Sequence, residues 1–361
     1  MRMLKLRTGS AVLRVIVFSV TLLIGSRVGA QVAPETSTST DQTTPSLPGI
    51  VKEVGDIPKR SDLAYEDWRK PELPAGMRSD VHELGRMQEK TFIREVMHAQ
   101  WREMDPIELF IVRPAKVKRA PVIFYLYSFP SNTDRYKDDA FCEFLTRNGF
   151  AAVGFVPALT GQRFHDRPPA DWFVSQVAES IGTTTHDVEM TLNYLESRKE
   201  DFDLDRVGIW GDGAGAAVAI LAASVDSRIK AVDALDPWGD WSNWFAKSTL
   251  VPDAERERYL KPEYLKTLEA LDPVVVLPTL KTQQVRIQHI GDVTVTPSIV
   301  REHFEKALPK SAALVTYKDK LEFFKTTGST GKAFLWLQDQ LNPPMINAGW
   351  GATGAGRRKT N

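Results

Sequence analysis

The sequence predicts an α/β fold, a mostly parallel central sheet with helices on both faces. Two observations predict it. Short apolar, β-rich runs alternate with helical patterns from about residue 96 to residue 341, the order that lays strands side by side beneath crossover helices. At one junction, "RVGIWGDGAGAAVAILAAS" over residues 206–224, a β-branched run enters Gly-x-Gly-x-Gly and continues as a small-residue helix. That pattern marks a strand turning sharply into a helix.

The elements follow in order. "IELFIVRP" and "PVIFYLY" read as strands, and "DDAFCEFLTRNG" reads as a helix with Gly149 as its stop signal. "FAAVGFV" is short and apolar enough for a strand buried on both faces. A helix is predicted over residues 185–198, with Val188, Leu192 and Leu195 at helical spacing and Thr184 and Asp187 as a capping box. The strand "VGIW", the helix "GAGAAVAILAAS" and the strand "IKAVDAL" come next. Residues 236–283 form a Trp-rich connection, predicted as a lid over the strand ends. The alternation then resumes with "VRIQHI", "PSIVREHFEKAL", "AALVTY" and "GKAFLWLQDQL".

Composition bounds the function. The 361 residues are 42% hydrophobic and 25% charged, with Lys+Arg and Asp+Glu equal at 46 each, which suits a globular protein. Zero net charge argues against a nucleic-acid partner, whose footprint would be basic. Residues 1–30 read as a signal peptide. Arg2, Lys5, Arg7 and Arg14 precede the apolar "VIVFSVTLLIG", and Val28-Gly29-Ala30 supplies small residues for cleavage. The apolar run is shorter than the roughly 20 residues of a membrane span, so the expectation is an exported, periplasmic or extracellular protein with no membrane span after cleavage; an uncleaved anchor is the alternative. Residues 31–48 are a Ser/Thr/Pro-rich linker, 49–95 an N-terminal extension, 96–341 the main domain and 342–361 a disordered tail. The single cysteine, Cys142, reads as a small buried hydrophobe.

With these pieces in order, the chain resembles the α/β-hydrolases, in particular the dienelactone hydrolases and acetyl xylan esterases. The resemblance rests on "PVIFYLY" before the oxyanion loop, "DLDRVGIWGDGAG" at the elbow, "RIKAVDALDPWGDW" after it and "LDPVVVLPTLKTQQVRIQHIGD" before the acid loop. It implies an α/β-hydrolase fold with a short Trp-rich lid, and a nucleophile, acid and histidine in that chain order. Two of those positions depart from the pattern. The nucleophile position is Gly213, which has no side chain, and the histidine position aligns with Glu322; none of the six histidines follows Tyr317. The acid position is Asp292, in a loop about one residue short of the family pattern.

Other groups are candidates for the same edge of the sheet, where ligands bind in such folds. Asp212, Asp236 and Asp240 are alternative carboxylates, with helix capping as the structural reading of the last two. His165 is the histidine best placed for ligand contact, while His289 and His303 read as structural. Tyr127 and Ser128 occupy the oxyanion loop, and the Ala214 N–H at the helix start favours an anion. Trp238, Trp241 and Trp244 either shape a pocket or pack the lid on the core. No metal-ligand spacing and no nucleotide loop is present, so no cofactor is expected. The leading expectation is a catalytically impaired hydrolase relative that binds a small ester- or sugar-like ligand, or a partner. The alternatives are a working hydrolase with relocated groups and a purely structural scaffold with a closed pocket.

Overall fold

The computed structural model describes residues 66–341, except 75–76, 78–79, 103–104, 130–131, 161–162, 164–172, 292 and 329–331. The predicted signal peptide, linker and tail lie outside the described residues. Nine strands form one sheet in the order β1-β2-β3-β5-β4-β6-β7-β8-β9. They are β1 (Val81–Gln88), β2 (Phe92–Ala99), β3 (Ile107–Pro114), β4 (Ala120–Leu126), β5 (Ala151–Gly154), β6 (Phe202–Asp212), β7 (Ile229–Leu235), β8 (Gln284–Ile290) and β9 (Ala313–Tyr317). The six strands from β5 to β9 run parallel, whereas β1, β2 and β3 pair antiparallel at one edge. The sheet thus begins at Val81, inside the segment set aside as an extension. The β1 strand is exposed along nearly its whole length, so it lacks the continuous apolar run by which buried strands are read.

Helices cover both faces. On one side α1 (Asp139–Thr146) and α10 (Leu335–Leu341) pack on a core that includes Tyr125, Trp210 and Tyr317. Gly208 lets α10 approach, since a Cβ there would lie 2.9 Å from Leu341 and 3.0 Å from Leu337. On the other side lie α2 (Val177–Glu196), α3 (Ala214–Val225) and α8 (Ser298–Ala307), whose apolar residues join the larger core. Strand β4 is buried at every position, as a parallel strand covered on both faces must be. Between β7 and β8 the lid carries α4 (Trp241–Lys247), α5 (Arg256–Tyr259), α6 (Pro262–Lys266) and α7 (Pro273–Val276). A last turn, α9 (Lys320–Phe323), follows β9. Cys142 is buried as expected; its thiol is pushed up by burial, although Arg94 sits beside it and opposes the shift.

Helix α2 corrects the sequence reading. It begins at Val177, eight residues before the predicted start, so Thr184 and Asp187 lie mid-helix and buried rather than capping it. The Thr184 hydroxyl donates to the Ser180 carbonyl at 2.6 Å and accepts from the Ala158 N–H at 3.0 Å, tying α2 to the loop after β5. Asp187 is the centre of a buried ionic network. It accepts from Arg163 at 2.8 Å, from Trp101 Nε1 at 2.8 Å and from Arg102. Arg163 also holds Asp105, and Arg102 holds Glu66. Burial alone would raise the Asp187 carboxyl, but the two guanidinium groups outweigh it and hold it below the usual range.

Removing one partner of such a cluster leaves an uncompensated buried charge. Asp187→Asn strands Arg163 and Arg102, so urea unfolding is expected to show a loss of about 3–5 kcal/mol at neutral pH. Because the native carboxyl has a depressed pKa, the same stabilisation is present above pH 4 and drains away as pH falls through the native value. A variant as stable as the wild type would contradict the role assigned to the network.

Candidate functional site

Strand β6 ends at Asp212 and α3 starts at Ala214, so the reversal falls on Gly213 alone. Its φ of 55° and ψ of −111° lie where residues with a Cβ are strained. Three backbone bonds fix the turn: Gly213 N–H to Leu235 O at 2.9 Å, and Gly213 O accepting from Ala217 at 3.1 Å and Trp238 at 3.2 Å. The flanking small residues permit the close approach. A Cβ on Gly211 would lie 2.4 Å from the Gly215 carbonyl oxygen, and one on Gly215 would lie 2.1 Å from that of Leu126.

The space above Gly213 is occupied. A Cβ placed there would meet Ser128 Oγ at 2.5 Å and Trp238 Nε1 at 3.0 Å. Ser128 Oγ also accepts from the Ala214 N–H at 3.3 Å, the donor on which an oxyanion would rest in an acyl-transfer site. Trp238 is held from both sides, edge-on to Phe129 at 5.8 Å and tilted on Trp244 at 4.8 Å. Trp238, Trp241 and Trp244 are all buried, so the three indoles pack the lid on the core and present no open stacking face.

The carboxylates separate into distinct environments. Asp212 is half-buried, and its backbone pairs with Leu235 in the ladder while its carboxylate accepts no hydrogen bond from a described residue. Burial and the nearby Asp236 charge push its pKa up to about 7, against the opposing pull of Arg135 and Lys320. Asp236 is buried with a left-handed φ of 43°. It does not cap a helix: its Oδ1 accepts from the Ile290 N–H at 3.2 Å and lies 3.6 Å from His289 Nδ1 and 3.9 Å from Arg301 Nε. Asp240 stands at the N-cap of α4, also left-handed at φ 48°, but caps no backbone group. Instead Asp272 accepts from the Asp240 N–H at 2.9 Å. The Asp240 carboxylate accepts from Asn243 at 2.9 and 3.1 Å and from His303 Nδ1 at 2.6 Å. That pair adjoins a cavity of about 380 Å³ lined by Asp240, Trp241, Leu265, Lys266, Glu269 and Asp272 among others.

Glu322 has a local role. Its carboxylate accepts from the Lys318 N–H at 2.6 Å while its own N–H donates to Asp319 Oδ1 at 2.8 Å, a reciprocal cap on α9. It is exposed and holds a turn. His165 and Asp292 lie outside the described residues. Sequence reasoning missed Arg135, whose guanidinium lies 3.4 Å over the Tyr127 ring; "TDRYKDD" carries no periodic or motif signal that would single it out. It also missed the pairing of Asp240 with His303, 63 residues apart. Among the described residues no group of three or more His, Cys, Asp or Glu could hold a metal ion, and no helix is long and apolar enough to cross a membrane.

This arrangement, with the strand–turn–helix at Gly213 on a mostly parallel sheet, is the α/β-hydrolase fold. Solved structures agree. The chain is similar to an acetyl xylan esterase from Paenibacillus sp. R4, with a TM-score of 0.53 at 18% identity over 67% of this chain and 82% of that one. It is similar to acetyl xylan esterase 1 from Thermoanaerobacterium sp. JW/SL YS485, with a TM-score of 0.55 at 15% identity over 73% and 88%. An S-formylglutathione hydrolase from Agrobacterium tumefaciens aligns with a TM-score of 0.51 at 14% identity over 72% and 99%. No family model matches the sequence, and no curated protein matches it closely.

The raised Asp212 pKa has a measurable sign. In the unfolded chain this carboxyl ionises near 3.8, whereas in the native protein it keeps its proton to about 7. Across that window the native state binds more protons, so stability falls as pH rises, by at most about 1.4 kcal/mol per unit from this group. Asp212→Asn is expected to flatten the fall in urea-unfolding stability between pH 5 and pH 7. Identical slopes in the two proteins would show that the carboxyl titrates normally.

Proposed function

We propose that this chain is an exported α/β-hydrolase-fold protein that binds a small ester- or sugar-like ligand without hydrolysing esters by the serine route. The observation that carries the reading is the elbow. Gly213 keeps the strained turn of a nucleophile yet offers no side chain, and the Ser128 hydroxyl rests on the Ala214 N–H beside it. A serine nucleophile needs an imidazole to take its proton, and that imidazole needs a carboxylate to hold it. Here both the serine and the histidine after β9 are absent from the sequence. An acyl-transfer cycle has nothing to start it at this elbow.

The ester or sugar character of the ligand draws on the solved neighbours, two of which are described as acetyl xylan esterases. Export draws on the basic, then apolar, then small-residue pattern of residues 1–30. A second reading, an enzyme working through relocated carboxylates, is favoured by one observation: Asp212 is held near pH 7, where a carboxyl can give and take a proton.

The purified protein is expected to show no turnover of p-nitrophenyl acetate above buffer and no labelling by a fluorophosphonate. Gly213→Ser is expected to remain inactive and to lose about 1–3 kcal/mol of stability, because the side chain enters a strained backbone region already filled by Ser128. Turnover in the wild type that is abolished in a folded Asp212→Asn would overturn the binding-only reading in favour of the second one.

A further inference from the structure

Arg135 belongs to a 3-10 turn, Asp134–Lys137, pinned at both ends. Thr133 donates to Glu108 at 3.0 Å on one side, and Arg94 donates to the carbonyls of Tyr136 at 3.2 Å and Lys137 at 3.0 Å on the other. The backbone of Arg135 is therefore fixed. Its guanidinium carbon sits 3.4 Å over the ring of Tyr127, which meets Trp210 edge-on at 5.2 Å, and Trp210 meets Phe334 edge-on at 5.4 Å. A rigid aromatic column thus carries the half-buried guanidinium at the end of β4, the edge of the sheet where ligands enter such folds.

The carboxylates close to Arg135 in sequence are all engaged elsewhere. Asp134 pairs with Lys137 at 3.0 Å, Asp138 caps α1 through the Phe141 N–H at 2.7 Å, and Asp139 pairs with Arg94 at 2.9 Å. Asp212 and Arg135 influence each other's field, yet no ion pair joins them. Arg135 is hydrogen-bonded to the Tyr127 hydroxyl beside it, and among the described residues it forms no ion pair with a carboxylate. Its remaining N–H donors are left at this edge of the sheet, with the planar fork stacked in place. That geometry matches a planar, bidentate acceptor.

We propose that Arg135 is the anchor of a subsite for an organic carboxylate, so that the ligand bound at this edge carries an acidic group. The proposal rests on the binding function given above and names the chemistry of its ligand. The groups that face Asp212 from the neighbouring elements are Asp236, Arg135, Tyr127 and Lys320. Below about pH 7 Asp212 gains a proton, which removes one negative charge from the subsite and favours an anion there.

Isothermal titration of the full-length protein with benzoate, with benzamide as its uncharged counterpart and with inorganic phosphate, tests the subsite. Benzoate is expected to bind saturably, at least tenfold tighter than benzamide or phosphate, and tighter at pH 6 than at pH 8. Arg135→Gln should weaken benzoate at least tenfold and leave benzamide unchanged. Arg135→Lys, which keeps the charge and loses the fork, should recover only part of the loss. Asp212→Asn should abolish the pH dependence. Thermal unfolding of each variant establishes that it is folded; if Arg135→Gln does not fold, the Arg135→Lys arm decides. No benzoate binding, benzoate binding indifferent to Arg135, or Arg135-dependent binding of phosphate alone would overturn the proposal. Ester turnover would defeat the binding-only function without touching this subsite, which would then be read as Arg135-dependent inhibition by benzoate.

Discussion

The close approach of α3 to the central strands governs the architecture around the elbow. The Gly215 position lies so near the Leu126 carbonyl that no side chain fits, and Gly211 lies almost as near the Gly215 carbonyl. With both gaps closed, the chain can pass from β6 to α3 only through one residue, and that residue takes a conformation a Cβ disfavours. In a hydrolase the strain of such a turn serves to expose a hydroxyl. Here glycine accepts the same backbone without steric strain, and the position carries no side chain.

What fills the vacated volume follows from the same geometry. An N–H at the first turn of a helix has no intrahelical acceptor and favours an oxygen. Ser128 supplies that oxygen from the β4 loop, and Trp238 closes the remaining space from the lid. The lid is anchored in turn by a buried aromatic cluster, in which Trp244 meets Trp241 at 5.9 Å and Phe245 at 5.3 Å. Far from the elbow, the ionic network around Asp187 secures the start of the described chain and the loop after β5 to α2.

Much of the fold was legible because its signals are local. Alternating apolar runs and helical spacing place β3 to β9, and the glycine spacing at 211–215 places the elbow. The start of α2 was not legible, since Ser180, Thr183 and Thr184 look like a loop or cap until their partners in other segments are known. Strand β1 escaped notice because its pairing, not its hydrophobicity, makes it a strand. The site was half legible. Gly213 and the missing histidine can be read directly, whereas the fate of each carboxylate depends on a long-range partner: Ile290 for Asp236, and His303 for Asp240. Glu322 is the instructive exception. Asp319 and Glu322 form a four-residue Asp-x-x-Glu pattern, local enough to be read as a helix cap from the sequence.

Those assignments bear on whether chemistry could have moved rather than vanished. A relocated triad needs a nucleophile, a base and an orienting acid in mutual reach. The Asp240–His303 pair supplies the last two, but Asp240 borders a cavity lined by the lid's own residues, and that lining does not include Gly213 or Ser128. Asp236 and His289 supply a second pair near the elbow, yet the imidazole is buried with neither ring nitrogen hydrogen-bonded, and the carboxylate already holds the Ile290 N–H. A base must reach the proton it removes through a hydrogen bond or one water, and neither His289 ring nitrogen is bonded to the Ser128 hydroxyl, whose oxygen accepts from the Ala214 N–H. Among the described residues neither pair is hydrogen-bonded to a nucleophile. Near the elbow the Asp212 carboxyl, raised to about 7, and the Arg135 guanidinium stacked on Tyr127 both stay outside any ion pair among the described residues.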